Sequence, residues 1–220
     1  MTTFREKMKN LIPSLSEDLA YYHIQQDPIS GKIAEDFRPE LIARSIEVGQ
    51  TEARKMRSEF PEASPLGIIR QKGLILERKG ENNAMQYITM AYFEEPNRIV
   101  IYGDNVKKVA ELLETNGLDQ ITNRQLEDIV LAHELFHVVE GEKPDLYTNT
   151  VKVDLFSLGP WTRKSHFICP GEIAGMAFAK ELLGLPYDPT ILNYPFMYAW
   201  NETEAEAIYQ SMIKFKGRST

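Results

Sequence analysis

Apolar residues recur at helical spacing through most of the chain and at strand spacing in one short stretch. Thr3 to Ile12 is amphipathic and stopped by Pro13, and Ser16 can cap a second helix running to about Gln26, before a turn at Pro28 to Gly31. From Pro39 the segment ELIARSIEVGQTEARKMRSEF sets Leu41, Ile42, Ile46, Ala53 and Met56 near one stripe and ends at Pro61. Ser64-Pro65 then reads as the cap and first turn of a short helix toward Gly73. After that glycine the runs shorten. Leu74 to Glu77, Tyr87 to Phe93 and Arg98 to Tyr102 are rich in branched and aromatic residues, and turn-like clusters separate them, so a small, mainly antiparallel sheet is expected.

Helical spacing returns in the second half. Asn105 to about Asn116 is amphipathic, with Gly117 just beyond. Thr122, followed three residues later by Gln125, is a capping-box signature for a helix running to about Glu140, with Gly141 as its stop. Residues 142 to 169 read as irregular or short-stranded. A further helix begins near Pro170 and closes at Gly184-Leu185-Pro186, and a last one runs from about Glu202 to Lys216. No repeat or long linker interrupts this order. The expectation is one α+β domain over 1–220, mostly helical: a helical part (1–73), a central part with the sheet and two site helices (74–186), and a C-terminal helix (187–220).

Composition narrows the partners. The 220 residues carry 25 Lys and Arg against 32 Asp and Glu, a net charge of -7, which argues against a nucleic-acid partner. The single cysteine, Cys169, gives no internal disulfide and no support for a secreted scaffold. No apolar run suits a signal peptide or a membrane span, so a soluble, cytoplasmic protein is expected.

The chemistry is concentrated in residues 133 to 137, His-Glu-Leu-Phe-His, inside the helix opened by Thr122. Four residues advance a helix by about 400°, so His133 and His137 project from nearly one face and can reach one cation. Glu134 lies about 100° around from His133, placed to address a metal-bound water without being a ligand. Zinc (Zn2+) hydrolysis needs this division: neutral nitrogen ligands and a carboxylate base. The rest of the helix is so apolar that three such side chains would be costly to bury without a shared partner.

A third protein ligand is required, with Glu140, Glu142, Asp145, Asp154, His166, Cys169 and Glu172 as candidates. The extended three-histidine version of the motif is excluded, because Glu140 and Lys143 stand where it needs Gly and His. Glu140 and Glu142 are too near the end of the same helix to bend back. Glu172 is the better choice: it stands in the first turn of PGEIAGMAFAKELLGLP, whose Ala174, Gly175, Ala177 and Ala179 permit close approach to a neighbour.

HELFHVVE followed by GEIAGMAFAKELLGLP resembles the compact gluzincin-type zinc metallopeptidases, in particular the ImmA/IrrE-like group. The matching positions are Glu172, Phe178, Ala179, Leu182, Leu183 and Pro186. The resemblance implies a minimal zincin-like fold, a peptide or protein substrate, and zinc held by His133, His137 and Glu172 with Glu134 as general base. The chain departs from that pattern at Phe136, where a small residue is usual, and at Met176, where Asn or Asp is usual and would supply an outer hydrogen bond. Residues 1–70 and 143–169 show no match.

Oxyanion stabilisation calls for an imidazole, phenol or guanidinium near the metal, for which His166, Tyr147, Arg163 and Tyr194 are candidates. His23 reads as surface or local packing, and Tyr194, Phe196, Tyr198 and Trp200 as core or lid. A strand edge above the metal, from Tyr87 to Phe93 or Arg98 to Tyr102, could hold an extended peptide by strand addition. Two other readings stand beside the hydrolase. One is a catalytically inactive regulatory or interaction protein with a closed zinc site, crowded by Phe136 or filled by Cys169; the other is a metal-free helical core.

Overall fold

The computed structural model describes residues 2–81, 88–158 and 161–217, with side chains outside 154–164. Local signals set most of the helices. Thr3 and Glu6 form a reciprocal capping box at the start of α1 (Phe4–Leu11). Next come α2 (Ser16–Gln26), where Ser16 is the first helical residue, a 3-10 turn at Ser30–Lys32, and α3 (Arg38–Glu59). The Ser64 hydroxyl accepts from Gly67 N to open α4 (Pro65–Gln71).

The sheet contains β1 (Ile75–Lys79), β2 (Ala91–Glu94) and β3 (Arg98–Tyr102) in the order β1-β3-β2. The expected hairpin is present as the antiparallel β2–β3 pair, whereas β1 lies parallel to β3 on its other side. Tyr87, expected to begin the second strand, lies outside the described residues, and residues 88–90 precede the strand. Then follow α5 (Gly103–Thr115), α6 (Asn123–Glu142), a single turn α7 (Tyr147–Thr150), and a second hairpin of β4 (Lys152–Leu158) and β5 (Trp161–His166). After α8 (Cys169–Leu183) the chain passes through a 3-10 turn at Pro189–Leu192 into α9 (Asn193–Tyr198) and α10 (Glu202–Ile213). The last helix stops short of the expected Lys216.

Gly141 is not the stop expected for α6, which continues to Glu142. Asn149 supplies the reason: its Nδ2 donates to the Glu140 and Lys143 carbonyls at 2.7 and 3.0 Å, satisfying acceptors that a left-handed glycine would otherwise help to close. Gly184 does act as expected, ending α8 in the left-handed region at φ 61°.

The fold positions one helix above all. α8 is gripped between α3 and α6, and glycine makes both contacts possible. A Cβ on Gly49 of α3 would stand 2.1 Å from the Ala174 carbonyl oxygen, so the two backbones meet where only hydrogen fits. Both ends of α8 are held by the N-terminal helices. The buried Asp27 carboxylate accepts from Ile168 N and Cys169 N at 2.7 and 2.9 Å, serving as an N-cap from 141 residues away. Arg57 Nη2 donates to the Leu182 carbonyl at 2.8 Å at the other end. Beneath these contacts runs a continuous apolar core of α1, α4, the sheet, α5, α6 and the C-terminal helices. A second cluster lies between α2, α3 and the outer face of α8. No helix among the described residues is long and apolar enough to cross a membrane.

Candidate metal centre

α6 begins where the Thr122 hydroxyl accepts from Gln125 N at 3.2 Å, and it is buried along most of its length. One turn apart on it, His133 and His137 turn their Nε2 atoms to within 3.1 Å of each other. Glu172, in the first turn of α8, brings Oε2 to 3.5 Å from His133 Nε2 and Oε1 to 3.8 Å from His137 Nε2. Among the described residues, His133, His137 and Glu172 form the one group of three with ligand atoms within 4.8 Å of one another. Ligands each about 2.0–2.1 Å from a tetrahedral zinc stand about 3.3 Å apart, so this donor set fits such an ion.

The neighbouring helix is cut to receive the histidines. A Cβ on Gly175 would fall 2.8 Å from His133 Nδ1 and Cε1, and a Cβ on Gly171 would fall 2.9 Å from Glu140 Oε1. The two glycines, one turn apart on α8, let α6 lie close enough for Glu172 to reach the pair. Glu140, set aside as a ligand, stands behind His137 instead: its Oε2 is 3.0 Å from His137 Nδ1. A carboxylate there fixes the tautomer that presents Nε2 and makes the ring more basic. His133 Nδ1 is buried without a partner among the described residues.

Charge is concentrated and mutually compensating. Burial alone would raise the Glu172 carboxyl, but the His133 hydrogen bond and the positive charge of His133, His137 and His23 hold it down to about 2. Burial would likewise lower His137, yet the Glu140 hydrogen bond and the charges of Glu172, Glu134 and Glu140 raise it to about 9. Glu134 is 6% exposed, and burial raises it above the usual carboxylate range against the pull of both histidines and the Phe93 backbone amide. The four side chains border a cavity of about 510 Å³ whose facing wall is Ala91, Tyr92 and Phe93 of β2.

The other candidates fall elsewhere. His166 is exposed at the end of β5, and Tyr147 lies under the Arg44 guanidinium at 4.0 Å; neither lines this cavity. Tyr194 is fully buried against Phe4 and Tyr209 and borders a cavity containing none of the three ligands. The side chains of Asp154 and Arg163 lie outside those described. Glu142 pairs with Lys72, while Asp145 and Cys169 are not in the ligand group. Cys169 is buried, and desolvation together with Asp27 pushes its thiol up. Phe136 is fully buried against Phe178 and does not border the opening.

Of the two readings of His23, surface or local packing, the structure shows the packing one. It is buried, its ring nitrogen 3.0 Å from the Thr190 hydroxyl, and it is close enough to Glu172 for the two charges to interact. Tyr22 beside it is pushed up to about 12 by burial and by the Glu172 charge. The sequence carried a weak signal for Glu140, three residues beyond His137, and none for His23 or Asn149.

Comparison with protein-family models, curated proteins and solved structures returns no match.

Proposed function

We propose that the protein is a zinc-dependent hydrolase, a metallopeptidase of the gluzincin, ImmA/IrrE-like type. The observation that carries this reading is the convergence of His133, His137 and Glu172 from two helices beside a buried Glu134. Zinc, when bound, supplies a Lewis acid and a water whose pKa falls to about 7. Glu134 would serve as the base that accepts a proton from the attacking water and passes it to the leaving amine. The Phe93 amide that meets its carboxylate keeps it against the cavity wall.

Substrate orientation follows from β2. Tyr102 N donates to the Met90 carbonyl, so in the alternating antiparallel ladder Tyr92 and Glu94 face β3, while Ala91 and Phe93 turn their peptide groups outward. Those residues wall the cavity; with the Phe93 amide held by Glu134, the Ala91 amide and carbonyl and the Phe93 carbonyl remain for an extended peptide to add as a further strand, its backbone passing the candidate ligands. The burial of Phe136 and Cys169 away from the opening weakens the closed-site alternative. With Glu134→Gln, zinc content stays at one equivalent by elemental analysis while peptide hydrolysis falls by about 10²–10⁴-fold. Full activity in that variant refutes the mechanism.

A further inference from the structure

Where α1, α9 and α10 meet, a cavity of about 530 Å³ shares no wall residue with the metal centre. Its volume falls within the roughly 300–1,000 Å³ of sites that take a whole small molecule. Four aromatic rings gather at it. Phe4 stacks on Tyr194 at 5.4 Å, Tyr198 tilts against these two at 4.7 and 5.8 Å, and Tyr209 tilts against Tyr194 at 5.7 Å. Two carboxylates one turn apart on α10, Glu202 and Glu206, line the same cavity together with one cation, Lys7. The lysine is committed: it pairs with Glu206 and lies over the Tyr209 ring at 5.3 Å. Gln210 donates to the other Glu206 oxygen at 2.8 Å, and Asn10 donates to the Tyr209 hydroxyl at 2.9 Å. Two groups are left over. Glu202 has no lysine or arginine partner among the described residues; its carboxylate faces the Tyr198 phenol, which burial and then the Glu202 charge push up. Tyr194 is fully buried, yet its hydroxyl has no hydrogen-bond partner among the described residues, although it is close enough to Glu206 and Glu202 to feel their charges. A buried tyrosine hydroxyl normally has a partner.

We propose that this cavity binds a primary organic ammonium ion with an apolar body, its N–H groups directed to the Glu202 carboxylate and the Tyr194 hydroxyl and its hydrocarbon lying on the aromatic rings. Lys7 is the internal precedent, an ammonium held between a carboxylate and an aromatic face. Charge sets the valence of the guest. Two carboxylates against one lysine leave one negative charge, so a monocation balances the site, whereas an anion would face Glu202 uncompensated. The phenol then selects among cations, because a quaternary ammonium has no N–H to offer it. That hydroxyl lies just beneath the cavity wall, and the Glu202 side chain, exposed in the first turn of α10, can turn aside to admit a donor. Sharing no residue with the candidate ligands, the site stands independently of the hydrolase reading.

The test is calorimetric titration of the full chain with four compounds built on one frame: phenethylammonium, phenethyl alcohol, phenethyltrimethylammonium and hydrocinnamate. Phenethylammonium binds at least about ten-fold tighter than the alcohol or the trimethylated compound, and hydrocinnamate shows no binding. Glu202→Gln lowers the affinity for phenethylammonium by about ten-fold and leaves that for the alcohol unchanged. Tyr194→Phe keeps the fold, since it removes a buried group that has no partner, and erases the preference for the primary over the trimethylated ammonium. Equal binding of phenethylammonium and the alcohol, or an ammonium affinity indifferent to Glu202→Gln, overturns the site. A trimethylated compound held as tightly as the primary one by the wild type overturns the ligand class. Binding lost with Glu134→Gln but kept with Glu202→Gln places the amine at the metal centre and likewise overturns the proposal.

Discussion

Both ring nitrogens of His137 are engaged, Nε2 toward His133 and Glu172 and Nδ1 toward Glu140. Removing the outer carboxylate frees the ring to rotate, so Glu140→Ala lowers zinc affinity by about 10–100-fold in a chelator competition, and Glu140→Gln recovers part of the loss. The two glycines of α8 respond differently to the same added methyl. At 171 the methyl meets the end of a flexible glutamate, which can shift. At 175 it meets the His133 ring, packed between helices. Gly175→Ala therefore costs about 1–3 kcal/mol in stability and displaces a ligand, read as loss of bound zinc alongside a lowered Tm.

At the scale of the element, α8 owes its first turn to a residue far away in sequence. Asp27→Ala withdraws the acceptor from the Ile168 and Cys169 amides and costs about 1–2 kcal/mol in denaturant unfolding, with weakened zinc binding because Glu172 sits in that turn. This dependence explains which parts of the site were legible in the sequence. The histidine pair was legible because helical geometry alone sets the spacing of positions 133 and 137. Glu172 was legible through the small residues around it, which signal close helix packing. Asp27, His23 and Asn149 were not, because each acts across a tertiary contact that no local pattern encodes. The same distinction holds in the sheet: the β2–β3 hairpin follows from the short turn between Glu94 and Arg98, whereas the parallel β1–β3 pairing depends on a longer connection. Gly141 misled for a related reason, since its role as a stop was taken over by a side chain from the next element.

For the whole molecule, the ligand set is a store of protons when no metal is bound. His137 is raised from 6.5 to about 9, so at pH 7 the metal-free protein carries a proton there that the proposed zinc would displace. Calorimetry at pH 7 in buffers of different ionisation enthalpy should report release of about one proton per zinc; none released would contradict the raised value. The stability linkage has a definite sign. The contribution of a raised histidine is complete below 6.5 and is lost as pH rises through about 9. The Tm gap between metal-free wild type and His137→Gln should therefore shrink between pH 6 and pH 9.5, and persist across that range once zinc is loaded.

The grip of Asp27, Gly49 and Arg57 on α8 also orders events in time. Glu172 follows His137 by 35 residues, and its helix is seated by segments synthesised long before it. A growing polypeptide therefore displays two imidazoles with no carboxylate opposite them, and the candidate site is complete only when Glu172 docks between segments made before it.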